Sequence, residues 1–522
     1  MTATDTVPRE TGATKHLGLF FASLMVTMLL ASLNQTVLST ALPTIVGDLH
    51  GVNQMTWVIT SYILASTIVM PVYGRIGDLL GRRPVLLVAI SLFIVGSVVG
   101  ALAGNIEWLI VGRAIQGLGG GGLIILSQAA IADVVPARER GRYMGIMGAV
   151  FAVSSVAGPL LGGWFTEGPG WRWAFWINLP LGVAAALAVI AFLRIPRADR
   201  TDRPTIDYLG AMLTAIATTA IVLVCTWGGG TYPWDSPQIL GLIATAVIAG
   251  ALFVFAETRA AQPIIPMYLF KDRDFTLSTV AGLLFGVAMF GAIGYLPTYL
   301  QMSAGVTATQ AGMLMVPMMG GLLGASITTG QLVSRTGRYK RYPIAGALLM
   351  AIGLALISAA HTDTPLWMIC GCLTIIGIGI GMGLQILVLI VQNAFPASIV
   401  GTATASTNYF RQVGASIGSA VVGSVFAQRL VDQLSARLPA GAGGVDTHSF
   451  TPAMVAHLPD AVRVEIVEAY NTALLPIFAY MVPLALAAAL AMCFVRERPL
   501  ATSVERDITA ECLAEGQLII EK

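Results

Sequence analysis

The side chains able to do chemistry are few and oddly placed. Asn34, Gln35, Gln116 and Arg113 stand inside long apolar stretches early in the chain, and Gln385, Asn408, Arg411 and Gln412 do so late in it. A guanidinium set among apolar residues is costly, so it is retained either for binding or for holding a buried polar network. Proton transfer there would need a carboxylate near the arginine, whose protonation burial and solvent access could switch. The acids Asp48, Asp78, Glu107, Asp133, Glu167, Asp207, Asp235 and Glu257 fall at the ends of apolar stretches or between them, and the later stretches carry none. Asp133 is the best-placed titratable candidate, with pairing to loop arginines as its other role.

Other chemistry is excluded. No nucleophile–base pair or metal-ligand cluster is present, so an enzyme, a metal site and a cofactor are not expected. Cys225, Cys370, Cys372 and Cys493 lie within apolar runs and Cys512 in the polar tail, which suits thiols and not a disulfide framework. Gly117–Gly122 has dinucleotide-loop spacing but no preceding strand, and none of Lys15, Lys271, Lys340 and Lys522 follows a glycine, so ATP-driven pumping is excluded. A net charge of +2 argues against a nucleic-acid partner.

These residues must be positioned by elements that live in lipid. The 522 residues are 56% hydrophobic and 11% charged, too little charge to cover such a chain in water. Runs of about 20 apolar residues, the length needed to cross the hydrocarbon, number fourteen between residues 17 and 495. The fifth covers 141–163, the thirteenth 399–429 and the fourteenth 471–495. The first run is too long for a signal-peptide core and is kept as a helix. With the N-terminus inside, 23 of the 29 Lys and Arg fall on the inner side, only Arg172, Arg429, Arg437 and Arg463 lie outside, and Arg113 and Arg411 fall within spans. An all-α polytopic protein of a cytoplasmic membrane, both termini cytoplasmic, is therefore predicted.

The organisation expected is a tail at 1–16, a six-helix bundle at 17–193, two extra helices at 207–257, a second bundle at 274–495 and a tail at 496–522. The outer segment at about 430–470 exceeds an ordinary loop; it either folds as a hairpin or cap or serves as a linker. Duplication supports the two halves. Gly74, Asp78 and Gly81, followed by Arg82 and Arg83, repeat as Gly330, Ser334 and Gly337, followed by Arg338. Gly74 and Gly81 suit a tight turn, Asp78 can face the positive end of a neighbouring helix, and Arg82 and Arg83 can snorkel to lipid phosphate, which together would make a latch.

At this point the chain resembles the major facilitator superfamily, and specifically its fourteen-span drug:proton antiporter branch, from the first span to the last. The 74–83 loop is similar to the superfamily's signature loop. Arg113, Gln116 and Gly117 resemble a second motif. Gly145, Gly158-Pro159 and Gly162-Gly163 resemble the antiporter motif, whose proline would kink the helix and whose glycines would form a dry contact that opens and closes. Leu42-Pro43 and Trp171-Arg172-Trp173, with Asn178 and Pro180, are similar to the fourteen-span branch in particular.

The resemblance implies a monomeric secondary exporter of small amphipathic compounds by alternating access, with protons as coupling ion and lipid as surroundings. Its cavity would be lined by Asn34, Gln35, Tyr62, Gln116, Tyr295, Met315, Gln385, Asn408 and Arg411, with Arg113 nearby; absence of a deep carboxylate leaves room for neutral or anionic substrates. A lipid or metabolite exporter is the alternative, and a scaffold without transport a more distant one. One departure stands out: the branch usually carries Asp where this chain has Asn34. Coupling then uses an end-of-helix acid such as Asp133, or is weak or absent, or Asn34 neutralises a native Asp.

Overall fold

The computed structural model describes residues 17–51, 54–193, 207–229, 231–306, 308–361, 364–437 and 460–502. Among these residues, fourteen helices are long and apolar enough to cross a bilayer. They are α1 Gly18–Asp48, α2 Met55–Leu80, α3 Arg82–Ala101, α4 Ile106–Val134, α5 Ala137–Glu167, α6 Trp173–Phe192, α7 Tyr208–Trp227, α8 Pro237–Glu257, α9 Arg273–Ser303, α10 Gln310–Thr336, α11 Arg341–Ser358, α12 Leu366–Ala394, α13 Val400–Arg437 and α14 Val462–Cys493. Helices α1 to α6 form one bundle and α9 to α14 a second, while α7 and α8 pack on each other and α7 packs against α2 and α13. The Tyr409 hydroxyl on α13 meets Thr218 on α7 at 2.8 Å, and Trp57 on α2 stacks edge-on with Trp227.

Within each bundle, close packing rests on glycine because lipid supplies no hydrophobic drive between helices. A Cβ at Gly96 would run into the α4 backbone at Gln116 and Gly112, and one at Gly119 into α3 at Ala89 and Phe93. Proline is carried inside some spans and follows the breaks in others. The helices run through Pro43, Pro71, Pro159, Pro476 and Pro483. They are interrupted at Ile177, Tyr295 and Met315, each just ahead of Pro180, Pro297 or Pro317, which lack an N–H and crowd the preceding turn.

Several helices outrun the apolar stretches. α13 continues to Arg437 and the last helix starts at Asp460, so both flanks of the 430–470 segment are helical, and 438–459 lies outside the described residues. Arg437 pairs there with Glu468 at 3.1 Å and Glu465 at 3.6 Å. These acids and Asp274, in the first turn of α9, correct the expectation that the later spans carry none. An apolar window ends at the first charges; a helix whose charged side chains reach water or pair does not.

After α14 the chain crosses the end of the second bundle as a strap. Arg498 binds Asp272 at 2.7 Å and Asp274 at 2.8 Å, the Arg496 amide donates to Asp274, and the Glu497 carboxylate accepts from the Tyr339 and Lys340 amides. Burial works against the Arg498 charge, but the two carboxylates more than offset it and hold the guanidinium above its ordinary pKa. The strap touches the first bundle where the Arg138 amide donates to the Ala501 carbonyl at 3.0 Å.

Asp274 is 1% exposed, so Arg498→Met would leave its charge buried with only the Arg496 amide to meet it, a defect of at most about 3–5 kcal/mol. The melting temperature in detergent should fall by several degrees, and Arg498→Lys by less; equal, negligible shifts would show that the strap does not hold the bundle.

Candidate functional site

The loop between α2 and α3 turns on Gly81, whose φ of +90° favours glycine. Gly337, at the equivalent place after α10, has φ of +71°. Gly74 takes no part in a turn: it lies inside α2, and a Cβ on it would strike Ala405 and the Gly401 carbonyl of α13. That absence of side chain brings Asp78, one turn on, to the start of α13. Its carboxylate accepts from the Gly401 amide (3.1 Å), the Thr402 amide (2.6 Å) and the Thr402 hydroxyl (2.5 Å), besides Arg82 Nη2 (2.5 Å). Helix start and carboxylate suit each other, since unpaired amides and the helix dipole both favour an anion.

Arg82 is 3% exposed and its Nε also holds Asp133 at 3.0 Å, so it does not snorkel to lipid. Arg83 instead donates to the Ile190 carbonyl of α6 at 2.6 Å. Asp133 thus joins Asp78 and Arg82 in one ion-pair cluster. Of its two expected roles, the structure shows the ion pair.

The second half repeats the arrangement in neutral form. Gly330 on α10 meets Gly141 on α5 backbone to backbone, and Ser334 accepts from the Arg142 amide at 3.0 Å. Arg138 donates to the Ser334 and Arg335 carbonyls, and Arg140 to those of Ala132, Val135 and Gln392. Further along the same seam, Gly145 and Gly148 lie against Ser326. The antiporter-motif glycines therefore divide. Gly145 lies between the bundles, Gly158 and Gly162 pack α5 on Thr36, Val37 and Thr40 of α1 within one bundle, and Gly163 faces open space. α5 is one continuous helix through Pro159.

Between these two seams lies an amide cluster. Gln392 Nε2 donates to the Gln128 carbonyl (3.2 Å) and Thr404 Oγ1 (3.3 Å), and Asn408 Nδ2 to Gln128 Oε1 (3.0 Å). Hydrogen bonds joining the two bundles thus cluster at the end bearing the arginine-rich loops. Gly401, Thr402, Gln128, Gln392 and Thr404 were missed in the sequence. Being neutral and small, they give no signal until the partner helix is known.

The residues expected to line a cavity do not share one surface. Asn34, Tyr62 and Gln116 are buried in a hub. Gln116 Nε2 donates to Asn34 Oδ1 (3.0 Å) and Ser97 (2.7 Å), Asn178 Nδ2 donates to Asn34 Oδ1 (3.1 Å), and Gln116 Oε1 accepts from Arg113 (2.5 Å). Arg113 also reaches the Val58 carbonyl at 3.3 Å and lies 4.2 Å from the Tyr62 ring centre. The hub thus ties α1, α2, α3, α4 and α6, and its buried members line no open space. Met315 packs in the core of the second bundle, and Tyr295 donates to the Ser419 carbonyl of α13 and leans on Phe426. Asn408 and Gln385 face the seams, Gln385 beside Ser326 and Gly148. Gln35 is exposed, in a band with Ser39, Thr40 and Thr44 on the half of α1 away from the arginine-rich end.

Two helical bundles that meet through duplicated loops at one end, the first with a buried polar hub, have the architecture of a membrane transporter. The chain belongs to the Major Facilitator Superfamily, whose profile matches residues 24–419. It is a multi-pass membrane transporter and not an enzyme. It is 42% identical over 498 residues, 95% of this chain and 72% of the other, to an uncharacterized MFS-type transporter of Mycobacterium tuberculosis. It is 36% identical to the multidrug transporter protein MdtP of Bacillus subtilis, over 88% of this chain and 87% of that one. In fold it is similar to the human organic anion transporter MFSD10, with a TM-score of 0.61 at 16% identity over 91% of this chain and 99% of that one.

Asp78→Asn keeps the shape but removes the charge from four hydrogen bonds, costing about 1.5–3 kcal/mol of latch stability. Spin labels at exposed Leu80 and Arg338 should then report a separated population about tenfold or more larger than in the parent; an unchanged distance distribution would remove the latch role.

Proposed function

We propose that the protein is a secondary active exporter of amphipathic small molecules, working by alternating access with its arginine-rich end on the cytoplasmic side of a bacterial membrane. Lys and Arg bias supports that orientation. The observation that carries the reading is the one-sided seal: charged, glycine and amide contacts close the basic end, while the opposite half of α1 presents Gln35, Ser39, Thr40 and Thr44, a band suited to water and not to hydrocarbon. On this reading the conformation is outward-facing. The name of the Bacillus relative, a multidrug transporter, supports efflux of varied compounds.

Coupling centres on position 34. Both bonds to Asn34 are donated to its Oδ1, while its Nδ2 is buried without a partner among the described residues. The pocket therefore offers donors to an acceptor and nothing to a donor. A carboxylate would suit it better than the amide, and Arg113, two bonds away through Gln116, would favour the ionised form. With the amide, no proton is exchanged at this position.

The test is transport in proteoliposomes of the full chain with ethidium, a lipid and a panel of antibiotics, with proton release followed by a pH dye. Movement of none of them would remove the exporter reading. Asn34→Asp should add substrate-induced proton release; no gain would remove residue 34 as a coupling position.

A further inference from the structure

Arg113 and Arg411 both lie more than one helical turn inside their spans, and their surroundings differ. Arg113 is satisfied by Gln116, the Val58 carbonyl and the face of Tyr62. Arg411, on α13, has no hydrogen bond, ion pair or ring contact among the described residues. Arg411 is half-buried, so water reaches it in this conformation, and a cation kept inside a span with no partner of its own is by default a functional candidate.

The direction of the side chain follows from its helix. Thr404 and Arg411 are seven residues apart, which on an α-helix is about 20° off the same face and about 10 Å along the axis. Thr404 is bound to Gln392, so Arg411 lies over the same seam, two turns beyond the amide cluster. On the facing helix, Gln385 is likewise two turns from Gln392, and its Oε1 is buried with no partner. Arg411 and Gln385 therefore stand at one level, on the far side of the seal from the basic end.

Among the described residues no acid pairs with Arg411. Asp78 is held at Gly401 and Thr402, about 14 Å away along α13 at 1.5 Å per residue. Asp133 is bound to Arg82, Asp274 to Arg498, and Glu465 and Glu468 to Arg437. Asp207 and Glu257 sit at the basic end of the extra helices, bound to backbone amides. α12 carries no acid.

We propose that Arg411 is the anion-recognising side chain of the transport path, and that the substrates include amphipathic organic anions. A carboxylate, sulfonate or phosphate head would take the guanidinium, and a hydroxyl or N–H next to it would satisfy Gln385 Oε1. This rests on the exporter reading and names its substrate class.

The probe is anilinonaphthalene sulfonate, titrated against the purified full chain in detergent, with ethidium as the cationic control and chloride and inorganic phosphate as competitors. Arg411→Gln should weaken sulfonate binding at least about tenfold relative to ethidium, and Arg411→Lys by less. Sulfonate affinity unchanged in Arg411→Gln, or equal weakening of both probes, would overturn the assignment. Displacement of the sulfonate by chloride or phosphate at comparable concentrations would overturn its organic part. If Arg411→Gln does not fold, as judged by its melting curve, the lysine variant decides: selective weakening supports the proposal and none overturns it. Arg411-dependent binding without transport would sink the exporter reading and leave the anion site standing. Transport of ethidium without such binding would do the reverse.

Discussion

Everything at the closed end depends on one buried anion. The Asp78 carboxylate has no exposure, which is tolerable only because each bundle supplies donors: Arg82 from its own, the Gly401 and Thr402 amides and the Thr402 hydroxyl from the other. If the bundles part, Arg82 stays and water must replace the three α13 donors. Such a contact is bistable, since a half-open position would strand a charge away from both. Its neighbours serve it. Gly74 lets the helices approach, Gly81 returns the chain so that Arg82 points back, and Asp133 neutralises the remaining side of Arg82.

The duplicated seam solves the same problem without an ion. At Gly330 and Gly141 the backbones touch, Ser334 offers only a hydroxyl, and Arg138 and Arg140 reach carbonyls and not carboxylates. Closure there is dominated by shape and by weak neutral bonds, whereas at Asp78 it is dominated by charge. The halves share a plan and differ in what holds them. The amide cluster of Gln128, Gln392 and Asn408 lies between, with Gln392 Oε1 and Asn408 Oδ1 unsatisfied, so this middle layer is the least fully bonded part of the seal.

Much of this was legible in the sequence, and the rest was not for identifiable reasons. Fourteen spans followed from apolar run length, and Asp78 was read correctly as facing a helix start because a carboxylate between two loop glycines has few other uses. Which helix it faced could not be read, since Gly401 and Thr402 carry no mark of their own. Arg82 was misread as reaching lipid because an arginine at a helix end usually does; only the fold brings Asp133 beneath it. Gly158 and Gly162 looked like a gate but pack on α1, because a small-residue face says that something comes close and not what. The strap's ion pairs join residues more than 200 positions apart and leave no local pattern.

Asn34 and Gln35 looked from the sequence like one polar patch. One residue along a helix is a rotation of about 100°, and that rotation places the first in the hub and the second on the exposed band. The consequence reaches beyond these two side chains. In the first bundle the charge inside α4, Arg113, is absorbed by dipoles and an aromatic face, and the exposed band of α1 carries amides and hydroxyls without net charge. In the second bundle, Arg411 has no side-chain partner among the described residues. If the transport path runs between the bundles as proposed, a neutral polar face on the first and a cation on the second give it a preferred polarity, set by residues on helices and not on a loop.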